Sequence, residues 1–155
     1  MYFRSMMSFI FRHLTFMAKA IKSYRDLEVW RKSMDFVEAV YDLAKRLPDS
    51  ERYCLTSQLC RASISIPSNI AEGYGRSGRK DYLRHLGIAR GSLMELETQL
   101  ALAARLKYTD RQTAMDLWKQ AQEIGKMLNG LVTSLRQGVD KRSPHHSRRD
   151  SDLES

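Results

Sequence analysis

Proline and cysteine are nearly missing from these 155 residues, which hold three of the first and two of the second. Two cysteines cannot build a disulfide framework. Cys54 and Cys60 lie six apart on one expected helix, and steps of ~100° put them on different faces, so they cannot bridge each other there. Neither belongs to a C-x-x-C unit, and the expectation is two small core residues in a reducing compartment. Histidine is also scarce: His13, His85, His145 and His146 are all there is. A di-metal bundle needs Glu-x-x-His on paired helices, and the chain has no such unit. His85 has Asp81 as its sole nearby carboxylate and basic neighbours in Arg79 and Arg84, the setting of a surface contact and not of an oriented general base. Glu95 and Glu97, two apart, face different ways along a helix. No catalytic residue, metal site or cofactor is therefore expected.

Long apolar runs are missing too. Residues 1–22 are apolar, but Arg4, Arg12 and His13 break them well short of the ~18–20 residues of a membrane span. No small-residue cleavage site follows, as a secretory signal would require. Acidic residues are absent from this stretch, which carries four Lys and Arg. It reads either as an interfacial amphipathic helix or as an extension ahead of a true start at Met17. No segment alternates apolar and polar residues in the manner of a strand. That removes the setting required by Gly73-Tyr-Gly75-Arg-Ser-Gly78, which matches G-x-G-x-x-G: the fingerprint works only between a strand and a helix of a β-α-β unit.

What is present is helical spacing, over a length that suits one domain. Ser23-Tyr-Arg-Asp26 fits a capping box. From there Leu27, Trp30, Met34, Val37, Tyr41 and Ala44 recur at three and four residues, with a second stripe of Val29, Phe36, Val40, Leu43 and Leu47 beside it. That double width exceeds what a single bundle seam buries, and Val29, Phe36, Val40 and Leu43 are expected to form the surplus, exposed unless another copy covers it. Pro48-Asp49-Ser50 ends this helix. A second runs from about Glu51 to Glu72, burying Leu55, Leu59, Ala62, Ile66 and Ile70. Pro67 withholds an amide from the carbonyl of Ser63, so the helix is expected to kink or restart there, with Ser63, Ser65, Ser68 and Asn69 satisfying freed backbone groups.

A third helix follows over about Gly78 to Arg105, capped by Ser77, with Tyr82, Leu86, Ala89, Leu93, Leu96, Leu100 and Ala103 on one face. Gly87 and Gly91 sit inside it, each costing roughly 1 kcal/mol against alanine. Close approach of another helix is the expected compensation. Thr109-Asp-Arg-Gln112 reads as a capping box for a fourth helix bearing Leu117, Ala121, Ile124, Leu128, Leu131 and Leu135, with Gly138 as its cap. The fold class is all-α: an up-down-up-down antiparallel four-helix bundle with its second helix kinked at Pro67. The division is 1–22 as extension, 23–138 as bundle and 139–155 as disordered tail.

The net charge is +8, enough to attract polyanions but not strong enough across the bundle to demand them. One concentration stands out. Arg76, Arg79, Lys80 and Arg84 surround the turn between the second and third helices, where free amides and the helix dipole already make the end positive. Cations placed against the dipole suggest use, and phosphate contact is the obvious one. Tyr74 and Tyr82 stand nearby to stack on unpaired bases. The alternative is a solvated basic end with Asp81 as partial counter-ion.

Three blocks resemble a known family. They are Tyr24 to Trp30 (Y-R-D-L-x-V-W), S-I-P-S-N-I-A-E-G ending at Gly73, and Ile88 to Leu100 (I-A-R-G-S-L-x-E-L-E-T-Q-L). In this order they resemble the bacterial "four helix bundle protein" family, also called ribosomal RNA intervening-sequence proteins, over about residues 24–135. The resemblance implies a small helical protein without established enzymatic activity. Homopentameric assembly, nucleic acid or ribonucleoprotein binding, and kinship to accessory subunits of a retroelement reverse transcriptase are also implied. Pro67, Asn69, Glu72, Gly73, Arg90, Gly91, Glu95 and Glu97 occupy the motif positions, and Asn69, Arg90 and Glu95 are expected at helix contacts, bonded to one another. The reading that results is a cytoplasmic, non-enzymatic, self-associating bundle that binds RNA or DNA through its second turn. The alternative is an adaptor that docks a protein partner without touching nucleic acid. A membrane is not the expected partner.

Overall fold

The computed structural model describes residues 21–137. The extension before residue 21, the cap at Gly138, His13, His145, His146 and the tail lie outside the described residues. Within them are four helices, α1 (Glu28–Ala44), α2 (Leu55–Gly75), α3 (Arg79–Arg105) and α4 (Arg111–Gln137), and no strand. Each packs on the helices next to it in sequence, and α1 also meets α4. The backbones of the diagonal pairs α1/α3 and α2/α4 stay farther apart, so this is an antiparallel square bundle with α2 and α3 its most intimate seam.

Heptad spacing did its work in the core. Leu55, Leu59, Ala62, Ile66 and Ile70 of α2 are buried together with Leu86, Ala89, Leu93, Leu96, Leu100 and Ala103 of α3 and Leu117, Ala121, Ile124 and Leu128 of α4. In α1 the two stripes are the reverse of the expectation. Val29, Phe36, Val40 and Leu43 face inward and are buried, while Trp30, Met34, Val37 and Tyr41 form the partly exposed outer stripe. Both are apolar; the inner one is chosen because it faces α2 and α4 together.

The helix ends differ from expectation by a residue or a turn. Ser23 and Asp26 do form a capping box, but it closes a 3-10 turn (Tyr24–Asp26), and α1 begins at Glu28. A second 3-10 turn, Asp49–Glu51, precedes α2. There Glu51 Oε2 accepts the Leu55 amide at 3.3 Å, and Glu51 Oε1 accepts the Tyr108 hydroxyl at 3.1 Å, tying both connectors at that end together. Cys54 is exposed at the α2 boundary rather than filling the core, and Cys60 is half-buried. Residues on either side of Pro67 belong to one uninterrupted helix, so α2 does not restart there and the kink is not confirmed. Ser63 Oγ donates to Cys60 O and Asn69 Nδ2 to Ser65 O; none of these side chains bonds the Ser63 carbonyl.

Ser77 does not cap α3. The N-cap is Gly78, with no side-chain bond. At the other end of α3, Lys107 takes a left-handed conformation (φ 61°), and the Tyr108 amide returns 2.9 Å to Ala103 O. This is a Schellman closure made without glycine. For α4 the cap is Asp110, not Thr109: its Oδ1 accepts the Thr113 amide at 2.8 Å and its Oδ2 the Thr113 hydroxyl at 2.6 Å. Gln112 turns to Asp116 instead.

Candidate nucleic-acid interface

The α2–α3 turn is short because α2 continues through Tyr74 and Gly75, and Arg76 leaves it in extended conformation. Only Ser77 and Gly78 separate Arg76 from Arg79, the first residue of α3. The turn therefore gathers Arg76, Arg79, Lys80 and Arg84 at one end of the bundle, all exposed. They are not equivalent. Arg76 donates to the Glu72 carboxylate one turn back, while Arg79, Lys80 and Arg84 make no ion pair among the described residues. Arg76, first by hydrogen bonding, holds the Glu72 carboxyl below the usual range, with His85 and Arg84 adding to the effect. The Asp81 carboxylate lies close over Gly78, with 3.3 Å between Oδ2 and where a Cβ would stand. It is the local counter-charge at the amides that open α3.

Tyr74 and Tyr82 are half-buried and meet edge to face, centroids 6.3 Å apart at 86°. The Tyr82 ring lies flush against the backbone of Gly73, with 2.7 Å between Cδ2 and a Cβ built on that glycine. Its hydroxyl is buried without a partner among the described residues, and burial pushes its pKa up to about 12. Gly73 is thus a point of close approach of α2 to α3.

Behind the turn runs a polar seam that spacing analysis missed. His85, expected on the surface, is buried, and its Nδ1 lies 3.0 Å from Asn69 Oδ1. Because Asn69 Nδ2 donates to Ser65 O and Oγ, its Oδ1 is left to accept from the ring. His85 Nε2 is 3.7 Å from Glu72 Oε1, an ion pair only while the ring is protonated. Ser92 Oγ donates to Ser65 Oγ at 2.8 Å, and Arg61 approaches Glu95 at 3.8 Å. Asn69, Arg90 and Glu95 are therefore not bonded to one another: Asn69 serves Ser65 and His85, Glu95 accepts from Gln99 at 3.0 Å, and Arg90 is exposed. The signal was in the sequence, where Arg61, Ser65, Asn69 and Gly73 recur every four residues beside the apolar face of α2.

The two glycines inside α3 behave differently. Gly87 and Gly91 are exposed with open space where a Cβ would stand, so none of the described helices approaches them. Among the described residues no group of three metal-ligating side chains comes together, and no helix is long and apolar enough to cross a membrane. Two apolar depressions do open on the sides of the bundle. One lies between α1 and α2, lined by Trp30, Met34, Val37, Ile64 and Pro67, and the other between α3 and α4, lined by Leu100, Ala101, Ala104, Met115 and Trp118.

Comparison with known proteins agrees with this architecture. A family model described as 23S rRNA-intervening sequence protein matches residues 25–130. A solved structure from Bacteroides thetaiotaomicron, described as a protein with unknown function from the S23 ribosomal protein family, is 28% identical. It superposes with a TM-score of 0.63 over 67% of this chain and 97% of that one. No curated protein matches the chain.

Proposed function

The chain belongs to the family of 23S rRNA-intervening sequence proteins, and from that premise we propose that it is a non-enzymatic, self-associating bundle that binds RNA or a ribonucleoprotein through the α2–α3 turn. One observation carries this reading: Arg79, Lys80 and Arg84 are exposed and make no ion pair among the described residues, where α3 presents its positive end. Cations there oppose the helix dipole, and a phosphate relieves that opposition while meeting the free amides. Arg76 is a fourth contact, held in reserve by Glu72. The exposed parts of Tyr74 and Tyr82 offer aromatic surface beside the charges for unpaired bases. The protein acts in the cytoplasm, as a closed ring of several copies, five as the resemblance implies. A ring places several basic turns on one strand and multiplies weak contacts by avidity.

The test is to change Arg76, Arg79, Lys80 and Arg84 together to glutamine. Affinity for single-stranded RNA falls, and the slope of log affinity against log salt flattens by about one for each lost phosphate contact. Helicity is unchanged, because all four side chains lie outside the core. A variant that binds as tightly as the parent, with the same slope, refutes the site.

The two apolar depressions favour a second reading, a protein-binding accessory subunit. Salt separates the two, since an apolar dock changes little with ionic strength where phosphate contacts weaken steeply.

A further inference from the structure

The outer seam between α3 and α4 changes character halfway along, at the 2.9 Å bond from Gln122 to the Glu97 carboxylate. Toward the connectors lies the apolar depression of Ala101, Ala104, Met115 and Trp118. Toward the α2–α3 turn the seam is cationic. From Ile124 to its end at Gln137, α4 carries no acidic residue, and α3 from Arg79 to Met94 carries only Asp81. The same two stretches hold Arg79, Lys80, Arg84, Arg90, Lys126 and Arg136.

Helical geometry sets four of these along the seam. Gln122 faces α3, and Lys126, Asn129, Thr133 and Arg136 follow it at steps of four, three, four and three residues, so they share its face. On α3, Arg90 and Arg79 lie on the same edge as Glu97, two turns and five turns before it. Glu97 on Gln122 and Leu93 on Gly125 fix the antiparallel register. Continued at that register, Arg90 comes level with Asn129, between Lys126 and Thr133, and Arg136 comes within a turn of Arg79. At about 1.5 Å per residue this cationic half is about 15 Å long.

Arg79, Arg90, Lys126 and Arg136 are all exposed, and none makes an ion pair among the described residues. Asp81 does not neutralise the row: it follows Arg79 by two residues, which turns it to the other side of α3, where it lies over Gly78. Gly87, with open space where a side chain would stand, leaves the way clear from Lys80 and Arg84 at the turn to Arg90. Beyond Tyr82 neither stretch contains Phe, Tyr or Trp, so this half offers no ring on which a base could stack. Its exposed polar side chains, Asn129 and Thr133, suit phosphate and ribose oxygens.

We propose that an RNA strand leaving the α2–α3 turn continues over the α3/α4 seam, its phosphates held by Arg90, Lys126 and Arg136, with Asn129 and Thr133 bonding backbone oxygens between them. This rests on the reading of the turn as an RNA site and adds a second contact surface and a path for the strand. Like charges in an uncompensated row repel one another, and a polyanion removes that repulsion while releasing its own condensed counterions. Bases stack at the turn, beside Tyr74 and Tyr82; along the seam the backbone alone is held, so this half is indifferent to sequence.

Fluorescence anisotropy with single-stranded RNA of mixed sequence tests this, at lengths of about 4 and about 20 nucleotides, at the low end of single-strand site sizes and beyond the high end. A seam variant carries Arg90→Gln, Lys126→Gln and Arg136→Gln. Its affinity for the long RNA falls on the order of tenfold to a hundredfold at about 0.1 M salt, and the log-affinity against log-salt slope flattens by about two, three contacts at roughly 0.7 each. Its affinity for the short RNA, which the turn alone accommodates, is unchanged. Melting temperature stays at the parent value, since all three side chains are exposed and make no ion pair among the described residues. A control variant removes the same charge from the other end of the seam, through Arg105→Gln, Lys107→Gln and Arg111→Gln, and binds the long RNA as the parent does. Equal weakening by the control and seam variants would mean that net charge alone is at work, and overturns the path. A seam variant that binds the long RNA like the parent, while the quadruple turn variant does not, overturns this inference and leaves the turn standing. A parent that binds neither RNA overturns both.

Discussion

Alanine at Gly73 and at Gly87 should act differently, although both glycines lie inside helices. At Gly73 a Cβ would stand 2.7 Å from Tyr82 Cδ2 and 2.9 Å from His85 Cβ. The tyrosine ring can tip, but it is braced against Tyr74. The His85 Cβ is fixed to the backbone of α3, so the two helices must separate by several tenths of an ångström. At Gly87 the same atom meets nothing within 4 Å. Replacing a helical glycine by alanine contributes roughly 1 kcal/mol of helix propensity at either site. Overpacking at a close seam costs about 1–3 kcal/mol. Gly87→Ala is therefore stabilising by about 0.5–1 kcal/mol, and Gly73→Ala is neutral to destabilising by roughly 2 kcal/mol. The difference between the variants isolates the packing cost, because propensity cancels. With a urea m-value near 2 kcal/mol/M, the two midpoints separate by on the order of 0.5–1.5 M. The measurement is made at one protein concentration, since association contributes to apparent stability. Coincident midpoints would refute the close approach of α2 and α3 at Gly73. A destabilised Gly87→Ala would show that something does pack on that face of α3.

Two further outcomes follow from the core and from the caps. Leu93 is fully buried opposite Gly125 of α4, so Leu93→Ala should cost roughly 2–5 kcal/mol, read as a lowered melting temperature; an unchanged one would mean the register of α3 is wrong. The Glu72 carboxyl is held low by Arg76 first, and that of Asp110 by the Thr113 hydroxyl first. A depressed folded pKa gives stability that is present above the unfolded value and lost as pH falls through the folded one. Acid titration followed by circular dichroism should therefore show stability declining below about pH 4, the usual carboxylate range. Glu72→Gln and Asp110→Asn should each flatten that decline, and identical acid limbs in parent and variants would show that neither pair contributes.

Much of the fold was readable from spacing alone, and the reason is geometric. Apolar residues at three and four positions can form a continuous stripe only on a helix, so four such stretches with short connectors fix four antiparallel helices and almost the whole buried set of α2, α3 and α4. The motif blocks also located the turn where Arg76, Arg79, Lys80 and Arg84 gather, because local sequence brings them together. What spacing cannot carry is which way a helix turns relative to its neighbours. In α1 two adjacent stripes satisfied the same pattern, and only the positions of α2 and α4 buried Val29, Phe36, Val40 and Leu43 and turned Trp30, Met34 and Tyr41 outward. Glycine is equally mute: Gly73 and Gly87 differ solely in what stands opposite. The Asn69–His85 and Ser65–Ser92 bonds join residues 16 and 27 positions apart. The sequence by itself determined the helices and their hydrophobic faces, since those depend on neighbours within one turn. Tertiary structure decided the polar seam and the two apolar depressions, since these depend on distances between helices that no local period records.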